Sequence, residues 1–230
     1  MKDKTVGEIV SDDIRTANVF KKYGLDFCCG GGEKLKIACS DKNINIDDLM
    51  ADLKVAIKDE KLLMDFQKMP LDKLVDYIFQ KHHTFIYENA RPTAEFIQKV
   101  ASVHGANYPE TIEISTLYMS LMDELHSHMM KEERILFPYI TQLVQQPVNN
   151  GAFINGPISV MMTEHDQAGT ILKKMNSLSN NYQAPSDGCN TFKAAYASIK
   201  SMEEDIYLHI HLENNILFPK ALELEENLTR

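Results

Sequence analysis

The feature of the sequence that most restricts its fold is a near-duplication of 11 residues. Residues 128–138 are HMMKEERILFP and residues 209–219 are HIHLENNILFP, so both fit the pattern His-x-x-x-Glu-x-x-Ile-Leu-Phe-Pro. The copies start 81 residues apart, and each follows a single histidine at a nearly constant distance: His83 precedes the first by 45 residues and His165 precedes the second by 44. We interpret the pattern as two copies of one helical hairpin, which together would close a bundle.

The spacing within each copy is that of a metal-binding helix face. Residues four positions apart lie on one face of an α-helix, so His128 and Glu132 share a face, as do His209 and Glu213. The apolar residues that follow indicate that these faces point into a core. Burying so many polar groups without a partner would be costly, whereas a metal ion would offset that cost. Imidazole with carboxylate suits iron, manganese or zinc, and two carboxylates able to bridge favour two ions over one.

A surface ion pair does not account for the duplicated motif. A single His-x-x-x-Glu usually forms such a pair, which contributes about 0.3–0.5 kcal/mol. Two copies with the same apolar flank and matching upstream histidines are not expected on that basis. The pattern also differs from the His-Glu-x-x-His of zinc proteases and from the Glu-x-x-His of ferritin-like bundles. The sequence therefore predicts a histidine-rich metal site of another kind.

The remaining histidines near the motifs need assignment. His82 and His83 are neighbours on a helix, where successive side chains point about 100° apart, so both cannot face one centre equally. The matching spacing favours His83 as the ligand, and His82 stays the alternative. His126 and His211 each lie two residues from a candidate ligand, on a different helix face. We expect them to be solvated or to support a ligand from outside.

Three further residues are candidates for supporting the site from outside the ligand set. Glu124 lies four residues before His128, and Glu164 directly precedes His165. Carboxylates at such positions are usually solvated, yet either could orient a ligand imidazole or relay protons. His104 lies near the end of a predicted helix, where a capping or loop role is the first expectation and a supporting role at the metal the second.

The adjacent cysteines Cys28 and Cys29, followed by three glycines, are the second unusual feature. One interpretation is that they are small buried residues, as free cysteines often are. The glycines favour another, because they let the backbone approach a second domain, a metal or a small ligand closely. A helix beginning near Glu33 would also lower a thiol pKa. We predict that Cys28 and Cys29 are functional thiols, and assign no role to Cys39 or Cys189.

The chain is predicted to be all-α, with an antiparallel four-helix bundle preceded by a small helical domain. Short helices occupy residues 1–57, where Thr5 and Glu8 form a capping-box pattern and Gly24 is a plausible C-cap. Residues 58–69 are predicted to be a linker. Residues 70–230 form the bundle, with helices predicted over about 71–100, 109–144, 157–178 and 187–224. Pro92 is expected to kink or break the first of these.

Composition excludes several classes of partner. The formal net charge is −9 and no block of Lys and Arg stands out, so we expect neither nucleic acid nor an anionic membrane surface to bind. No uncharged run approaches the length of a membrane span, and the first residues lack the apolar core of a secretory signal. The 4 cysteines do not form a disulfide framework. We therefore expect a cytoplasmic protein.

These features together resemble the Repair of Iron Centres family, the di-iron proteins that repair iron–sulfur clusters. The resemblance covers nearly the whole chain. The matching segments are YGLDFCCGG at 23–31, HH at 82–83, ELHSHMMKEE at 124–133, EHD at 164–166 and HIHLENN at 209–215. The first segment resembles the family's N-terminal signature, and the others resemble its haemerythrin-like domain. One departure is Ala90-Arg91-Pro92, where the family commonly has Leu-Pro. It leaves the choice between His82 and His83 open.

The resemblance implies a centre of two non-haem iron ions. It implies as ligands His83, His128, His165 and His209, with Glu132 and Glu213 as bridges. The implied function is repair of clusters damaged by nitrosative or oxidative stress, through donation of iron, with damaged iron–sulfur proteins as clients. The alternative is a protein that binds, senses or reduces nitric oxide or oxygen, and a purely structural bundle is a third. Whether the protein is an enzyme stays open at this point, and an exposed dithiol could support a homodimer.

Overall fold

The computed structural model describes residues 1–57, 64–145 and 154–229. Regular structure in these ranges is helical, and the only β-type pairing within them is an isolated antiparallel bridge between Thr5 and Lys34. The predicted all-α class is confirmed. No helix in the described ranges has both the length and the apolarity that crossing a membrane requires.

The helices fall into a short set and a long set. The first 57 residues contain α1 Val6–Asp12, α2 Ala17–Lys22, α3 Leu35–Asp41 and α4 Ile46–Ala56, with a 3-10 turn at Ile14–Thr16. The later helices are α5 Leu71–Ile78, α6 Thr84–His104, α7 Glu110–Lys131, α8 Phe137–Gln145, α9 Asn155–Leu178, α10 Asn190–Leu212 and α11 Phe218–Thr229. Three π-helical turns, Phe79–His83, Glu132–Leu136 and Glu213–Leu217, join α5 to α6, α7 to α8, and α10 to α11.

Two details of the predicted helices are refined by the structure. Pro92 lies inside α6, and the helix continues past it to His104 rather than breaking. Proline removes one backbone donor, but Pro92 and Glu88, whose carbonyl loses that donor, are both exposed, so water can bond the freed carbonyl. The helix expected near Glu33 begins instead at Leu35. Of the predicted linker, residues 58–63 lie outside the described ranges, and 66–68 form a turn.

The chain divides into two compact units. The first comprises Met1–Val75, Ile140–Asn155 and Leu208–Arg230, and the second comprises Asp76–Tyr139 and Gly156–Tyr207. The predicted division into a small domain, a linker and a bundle therefore differs from this grouping by contacts, because the segment after residue 207 groups with the short N-terminal helices.

In the first unit, α1 packs against the π turn Glu213–Leu217. The helix starts at the predicted capping box: the Glu8 N–H donates to Thr5 Oγ1 at 3.1 Å, and the Thr5 N–H donates to Glu8 Oε2 at 2.7 Å. The core of this unit includes Phe20, Leu35, Leu49 and Leu53, all 0% exposed. Full burial of each such side chain contributes about 1.5–3 kcal/mol, which stabilises helices too short to persist alone.

In the second unit, α6 and α7 pack together along their lengths and are joined by a short loop. Their contact surface is apolar, with Ile97, Val100, Ile114 and Leu121 all buried. Tyr118 is also buried there, and its hydroxyl donates to the Ala90 carbonyl at 3.2 Å. This packing fixes the position of His128 in α7 relative to His83, which directly precedes α6.

Candidate metal centre

The second unit brings together three of the predicted ligand histidines and one carboxylate. His83 ends the π turn before α6, His128 lies in the last turn of α7, and His165 lies in the middle of α9. Glu132 begins the π turn after α7. None of the four is more than 3% exposed, so the cluster is removed from bulk water.

The potential ligand atoms of this cluster lie close to one another. Glu132 Oε2 lies 3.4 Å from His83 Nε2, and Glu132 Oε1 lies 3.2 Å from His128 Nε2. The Nε2 atoms of His128 and His165 are 3.0 Å apart. One ligand atom from each of His128, Glu132 and His165 lies within 4.8 Å of the others. Glu132 is therefore placed between two imidazoles, as a bridging carboxylate would be.

Two outer carboxylates fix which nitrogen of each imidazole points inward. His83 Nδ1 lies 2.8 Å from Glu133 Oε1, and His128 Nδ1 lies 2.9 Å from Glu164 Oε2. Because an ionised carboxylate only accepts hydrogen bonds, each Nδ1 must carry the proton. The neutral imidazole then presents an Nε2 lone pair to the interior, which is the tautomer that binds a metal.

The outer carboxylates have further partners of their own. Glu164 accepts a hydrogen bond from Lys131, and although burial opposes the change, Lys131 and His128 lower the pKa of Glu164. The Tyr87 hydroxyl donates to Glu133 Oε1 at 2.9 Å. Burial and this hydrogen bond raise the pKa of Tyr87 to about 12, so the phenol stays a donor. Glu164 is therefore favoured in its ionised form, and Glu133 accepts from both Tyr87 and His83.

The first unit contains the second copy of the motif in the same local geometry. His209 Nε2 lies 3.0 Å from Glu213 Oε1, and both residues are 0% exposed. Glu213 begins the π turn after α10, just as Glu132 begins the one after α7. Such π turns occur often at functional sites, where they re-aim side chains within a helix. The shared helix face predicted for each His-x-x-x-Glu is present in both copies.

The donor set fits a transition-metal ion. Buried neutral imidazoles with inward Nε2 lone pairs, beside a fully buried carboxylate, are the ligands that iron, manganese and zinc accept. The anionic carboxylate needs a positive charge nearby to be stable in a dry interior. A bound divalent ion would supply it, and the imidazoles are already oriented towards the position that the ion would take.

The other candidate residues lie in different places. His82 Nδ1 lies 2.9 Å from Asp205 Oδ1 rather than beside Glu132, so the geometry favours His83. His126 is exposed, and Glu124 is exposed and accepts from the Ser120 hydroxyl at 3.0 Å. His104 contacts Cys189, with Nε2 3.3 Å from Sγ.

A cleft of about 340 Å³ in the second unit reaches two of the candidate ligands. Its lining includes His128 and His165 together with Glu124, Lys131 and Glu164. Glu164 also holds the His128 imidazole in place, and Lys131 bonds Glu164. A small molecule or ion in the cleft would therefore meet these two candidate ligands beside the charged side chains of Lys131 and Glu164.

Sequence patterns do not reveal all the partners of the candidate ligands. Glu133 was not predicted to take part, although it directly follows Glu132; its pairing with His83 joins residues 50 positions apart. Asp205, the partner of His82, lies 123 positions away from it. The only signal in the sequence is that both are acidic residues on predicted bundle helices.

The adjacent cysteines lie in the first unit, and the thiol of Cys28 is not activated in the way predicted. Cys28 is buried and Cys29 half-buried, with their sulfurs 3.9 Å apart. The Cys28 thiol also lies 3.2 Å from Asp26 Oδ1. The hydrogen bond to Cys29, burial and the negative charge of Asp26 raise the pKa of Cys28 well above its ordinary value. The expected lowering by a helix N-terminus fails because α3 starts only at Leu35.

The remaining two cysteines differ from each other. Cys39 is buried in α3, and burial raises the pKa of its thiol. Cys189 is exposed directly before α10, where the Phe192 backbone N–H and the His104 imidazole lower its pKa. A lowered pKa increases the thiolate fraction at any given pH, which the sequence around Cys189 did not indicate.

Comparison with known proteins gives two family models that match the chain. Residues 2–57 match ScdA_N, described as a Domain of Unknown function (DUF542), and residues 74–221 match the Hemerythrin HHE cation binding domain. The second match confirms the predicted haemerythrin-like bundle after a small helical domain. It spans both copies of the motif and both upstream histidines.

Curated relatives match over nearly the full length. They include proteins named iron-sulfur cluster repair protein YtfE from Escherichia coli O81 (strain ED1a), from Escherichia coli O1:K1 / APEC and from Escherichia fergusonii. Each is 37% identical over 222 residues, which is 96% of this chain and 97% of the relative.

Proposed function

Because the chain belongs to the family of the iron–sulfur cluster repair protein YtfE, we propose that it repairs iron–sulfur clusters damaged by nitrosative or oxidative stress. Damaged iron–sulfur proteins are then its clients. The matched relatives are named for iron–sulfur cluster repair, and the present chain covers almost their whole length. The buried histidine and carboxylate cluster supplies the chemistry that such a role needs, which is a place to hold iron.

We propose that the metal centre holds two iron ions. Its ligands are His83, His128, His165 and His209, with Glu132 and Glu213 as bridging carboxylates. The duplication of the motif, the equal His–Glu geometry in the two copies and the single cation-binding domain matched over 74–221 all support this set. Imidazole and carboxylate together suit iron, and six protein ligands leave coordination positions for a small molecule.

The pair of outer carboxylates carries the proposal. Glu133 and Glu164 each accept the Nδ1 proton of a candidate ligand, so that Nε2 is the nitrogen that lies beside Glu132 in both cases. The Nδ1 of His82 is also held by a carboxylate, so what distinguishes His83 and His128 is that their Nε2 atoms both lie beside the buried Glu132. Removing such an outer partner typically weakens metal affinity by about 10–100-fold.

Iron donation requires that the bound metal can also leave the site. The cleft beside His128 and His165 offers a path for an ion, lined by the carboxylates Glu124 and Glu164 and by Lys131. Bound iron supplies a labile ferrous ion for an incomplete cluster. The chain's own contribution is to orient the imidazoles and to keep bulk water from the buried carboxylates.

The proposal extends to the organisation of the chain. Residues 1–57 form a domain that carries Cys28 and Cys29 as functional thiols. Residues 58–69 link this domain to residues 70–230, which bind the metal. The family matches at 2–57 and 74–221 support this division. We place the protein in the cytoplasm, where thiols stay reduced. A homodimer is compatible with the half-buried Cys29.

Metal analysis followed by a repair assay tests the proposal. Protein purified without added metal should contain two iron ions per chain, and Glu132→Ala or Glu213→Ala should lose them. The iron-loaded protein should restore activity to an iron–sulfur dehydratase that has been damaged with a nitric oxide donor, and Glu132→Ala should not. Glu95→Ala removes an exposed carboxylate that lies outside the cleft and is the matched control. Failure of fully iron-loaded protein to restore any activity would reject the repair function.

A second candidate function is binding or reduction of nitric oxide or oxygen. The observation that favours it is the cleft that reaches His128 and His165, since a diatomic molecule is small enough to enter it. Rapid-mixing optical spectra of the iron-loaded protein with each gas separate the candidates. A new absorption band with either gas supports this function, and unchanged spectra with both remove it.

A further inference from the structure

At two of the positions where the copies of the motif differ, the surroundings of the side chains also differ. The first copy has Met130 and Arg134 where the second has His211 and Asn215. Arg134 is exposed, and Met130 is half-buried. His211 is 0% exposed, although its position in the sequence predicted either a solvated residue or one supporting a ligand. The difference calls for a partner that only the second copy has.

That partner is the cysteine loop of the first unit. His211 Nδ1 lies 3.0 Å from the Phe27 carbonyl, so Nδ1 donates the proton. Ser11 Oγ lies 3.3 Å from His211 Nε2 and can donate to it. The imidazole is thus bonded at both nitrogens, and burial lowers the pKa of His211 to about 4, which keeps it neutral. Both bonds join it to the N-terminal helices and loop.

Asn215 makes the second attachment. Its Nδ2 donates to the Cys28 carbonyl at 3.2 Å. Gly7 and Gly31 lie so close to Asn215 that an added Cβ would be 2.4 Å and 2.8 Å, respectively, from Oδ1. The Gly7 N–H donates to the Gly31 carbonyl at 2.7 Å, which ties α1 to the loop at the same point. Gly31, the second of the three glycines after the cysteines, therefore allows this close approach, as the glycines in the sequence suggested.

Both attachments lie within the segment that carries two proposed metal ligands. His211 falls between His209 and Glu213, and Asn215 lies in the π turn that Glu213 begins. A ligand held by metal restrains its own helix turn. Restraint of residues 209–217 must then reach the loop through His211 and Asn215.

We propose that His211 and Asn215 are positioning residues that hold the Cys28–Cys29 loop against the segment carrying His209 and Glu213. Metal occupancy of these ligands and accessibility of the dithiol are thereby linked. The link to metal rests on the proposed function, whereas the attachment of the loop does not. Coupling between two sites is reciprocal, so metal that protects the thiols is itself bound less tightly when the thiols are modified.

The rate at which Cys28 and Cys29 are alkylated tests both the attachment of the loop and its link to metal occupancy. Tryptic cleavage after Lys22 and Lys34 isolates Cys28 and Cys29 in one peptide, so mass spectrometry can follow their reaction with iodoacetamide. We expect His211→Ala and Asn215→Ala each to raise the alkylation rate about tenfold, as expected when a buried hydrogen-bond partner is lost. Ser11→Ala removes one bond of His211 with little loss of packing and should raise the rate by a smaller factor. Arg134→Ala, at the matched position of the first copy, should leave it unchanged.

Two other cysteines control for folding in the same digest. Cys39 is buried, so its alkylation reports unfolding of the N-terminal helices, and exposed Cys189 should react equally in every variant. Faster alkylation of the peptide that contains Cys28 and Cys29, without faster alkylation of Cys39, supports release of the loop from the segment that carries His209 and Glu213. Equal alkylation of the loop in wild type, Ser11→Ala and Asn215→Ala would overturn the positioning role, whether or not His211→Ala folds.

The link to metal is tested by comparing iron-loaded protein with protein treated with a chelator. Iron should slow alkylation of the wild-type loop severalfold, and Asn215→Ala should weaken this protection. Prior alkylation should lower iron affinity by the same factor. Loading that leaves the wild-type rate unchanged, in protein shown by metal analysis to hold iron, would overturn the link. If no iron binds, the proposed function fails, while the variants in metal-free protein still decide the positioning role.

Discussion

Replacing Glu133 by alanine tests how the metal ligands are oriented. Glu133 Oε1 accepts from His83 Nδ1 at 2.8 Å and from the Tyr87 hydroxyl at 2.9 Å. Glu133→Ala deprives the buried imidazole of the charged acceptor that fixes its tautomer. A hydrogen bond to a charged group contributes about 1.5–3 kcal/mol, and about 1.4 kcal/mol corresponds to a tenfold change in affinity. We therefore expect iron affinity to fall about 10–100-fold, with Glu133 acting through His83 rather than as a ligand.

Competition with a coloured ferrous chelator, without oxygen, measures this affinity. Tyr87→Phe removes the other hydrogen bond but keeps the carboxylate, so it should cause a much smaller loss. Glu95→Ala removes the same charge from an exposed position bonded to Arg91, and should bind iron like wild type. Circular dichroism confirms that each variant is folded. Equal iron affinity of folded Glu133→Ala and wild type would refute the idea that the outer carboxylate selects the tautomer of His83.

Three further predictions concern other parts of the chain. Because the Phe192 N–H and the His104 imidazole lower the pKa of Cys189, His104→Ala should slow alkylation of Cys189 severalfold at neutral pH; an unchanged rate would exclude His104 as the cause. Gly24 has φ +66°, so Gly24→Ala should lower the free energy of unfolding by about 1–2 kcal/mol in urea titrations, and full stability would contradict the strain. Thr5→Ala removes the cap of α1 and should cost about 1 kcal/mol by the same measurement, whereas no loss would mean that Glu8 alone caps the helix.

Local features of the fold were predictable because short-range chemistry determines them. The Thr5–Glu8 capping box and the positive φ of Gly24 follow from residue types at fixed offsets. The start of α4 at the Asn45 cap, followed by acidic residues in its first turn, is of the same kind. Of the two outcomes expected at Pro92, a kink or a break, the break does not occur, because a helix tolerates proline where water can bond the freed carbonyl.

The candidate ligands were predictable for a different reason. The duplicated His-x-x-x-Glu encodes its shared face in spacing alone, and the distances at Glu132 and Glu213 follow that spacing. The π turns at both carboxylates were not predicted, because a widened turn leaves no trace in apolar periodicity. Nor were Glu133 and Asp205, since their pairings depend on which helices become neighbours in the folded protein.

The two copies of the motif are alike at the positions that set the His–Glu geometry, and they differ where the residues around them differ. Both copies keep the histidine, the carboxylate four residues on and a π turn that starts at the carboxylate. The ligand spacing therefore cannot explain why His211 and Asn215 replace Met130 and Arg134. Their contacts can, because the second copy alone meets the Phe27 and Cys28 carbonyls within its unit. A buried neutral histidine two residues from a ligand is costly to desolvate, and it is stable here because the cysteine loop and Ser11 satisfy both its nitrogens.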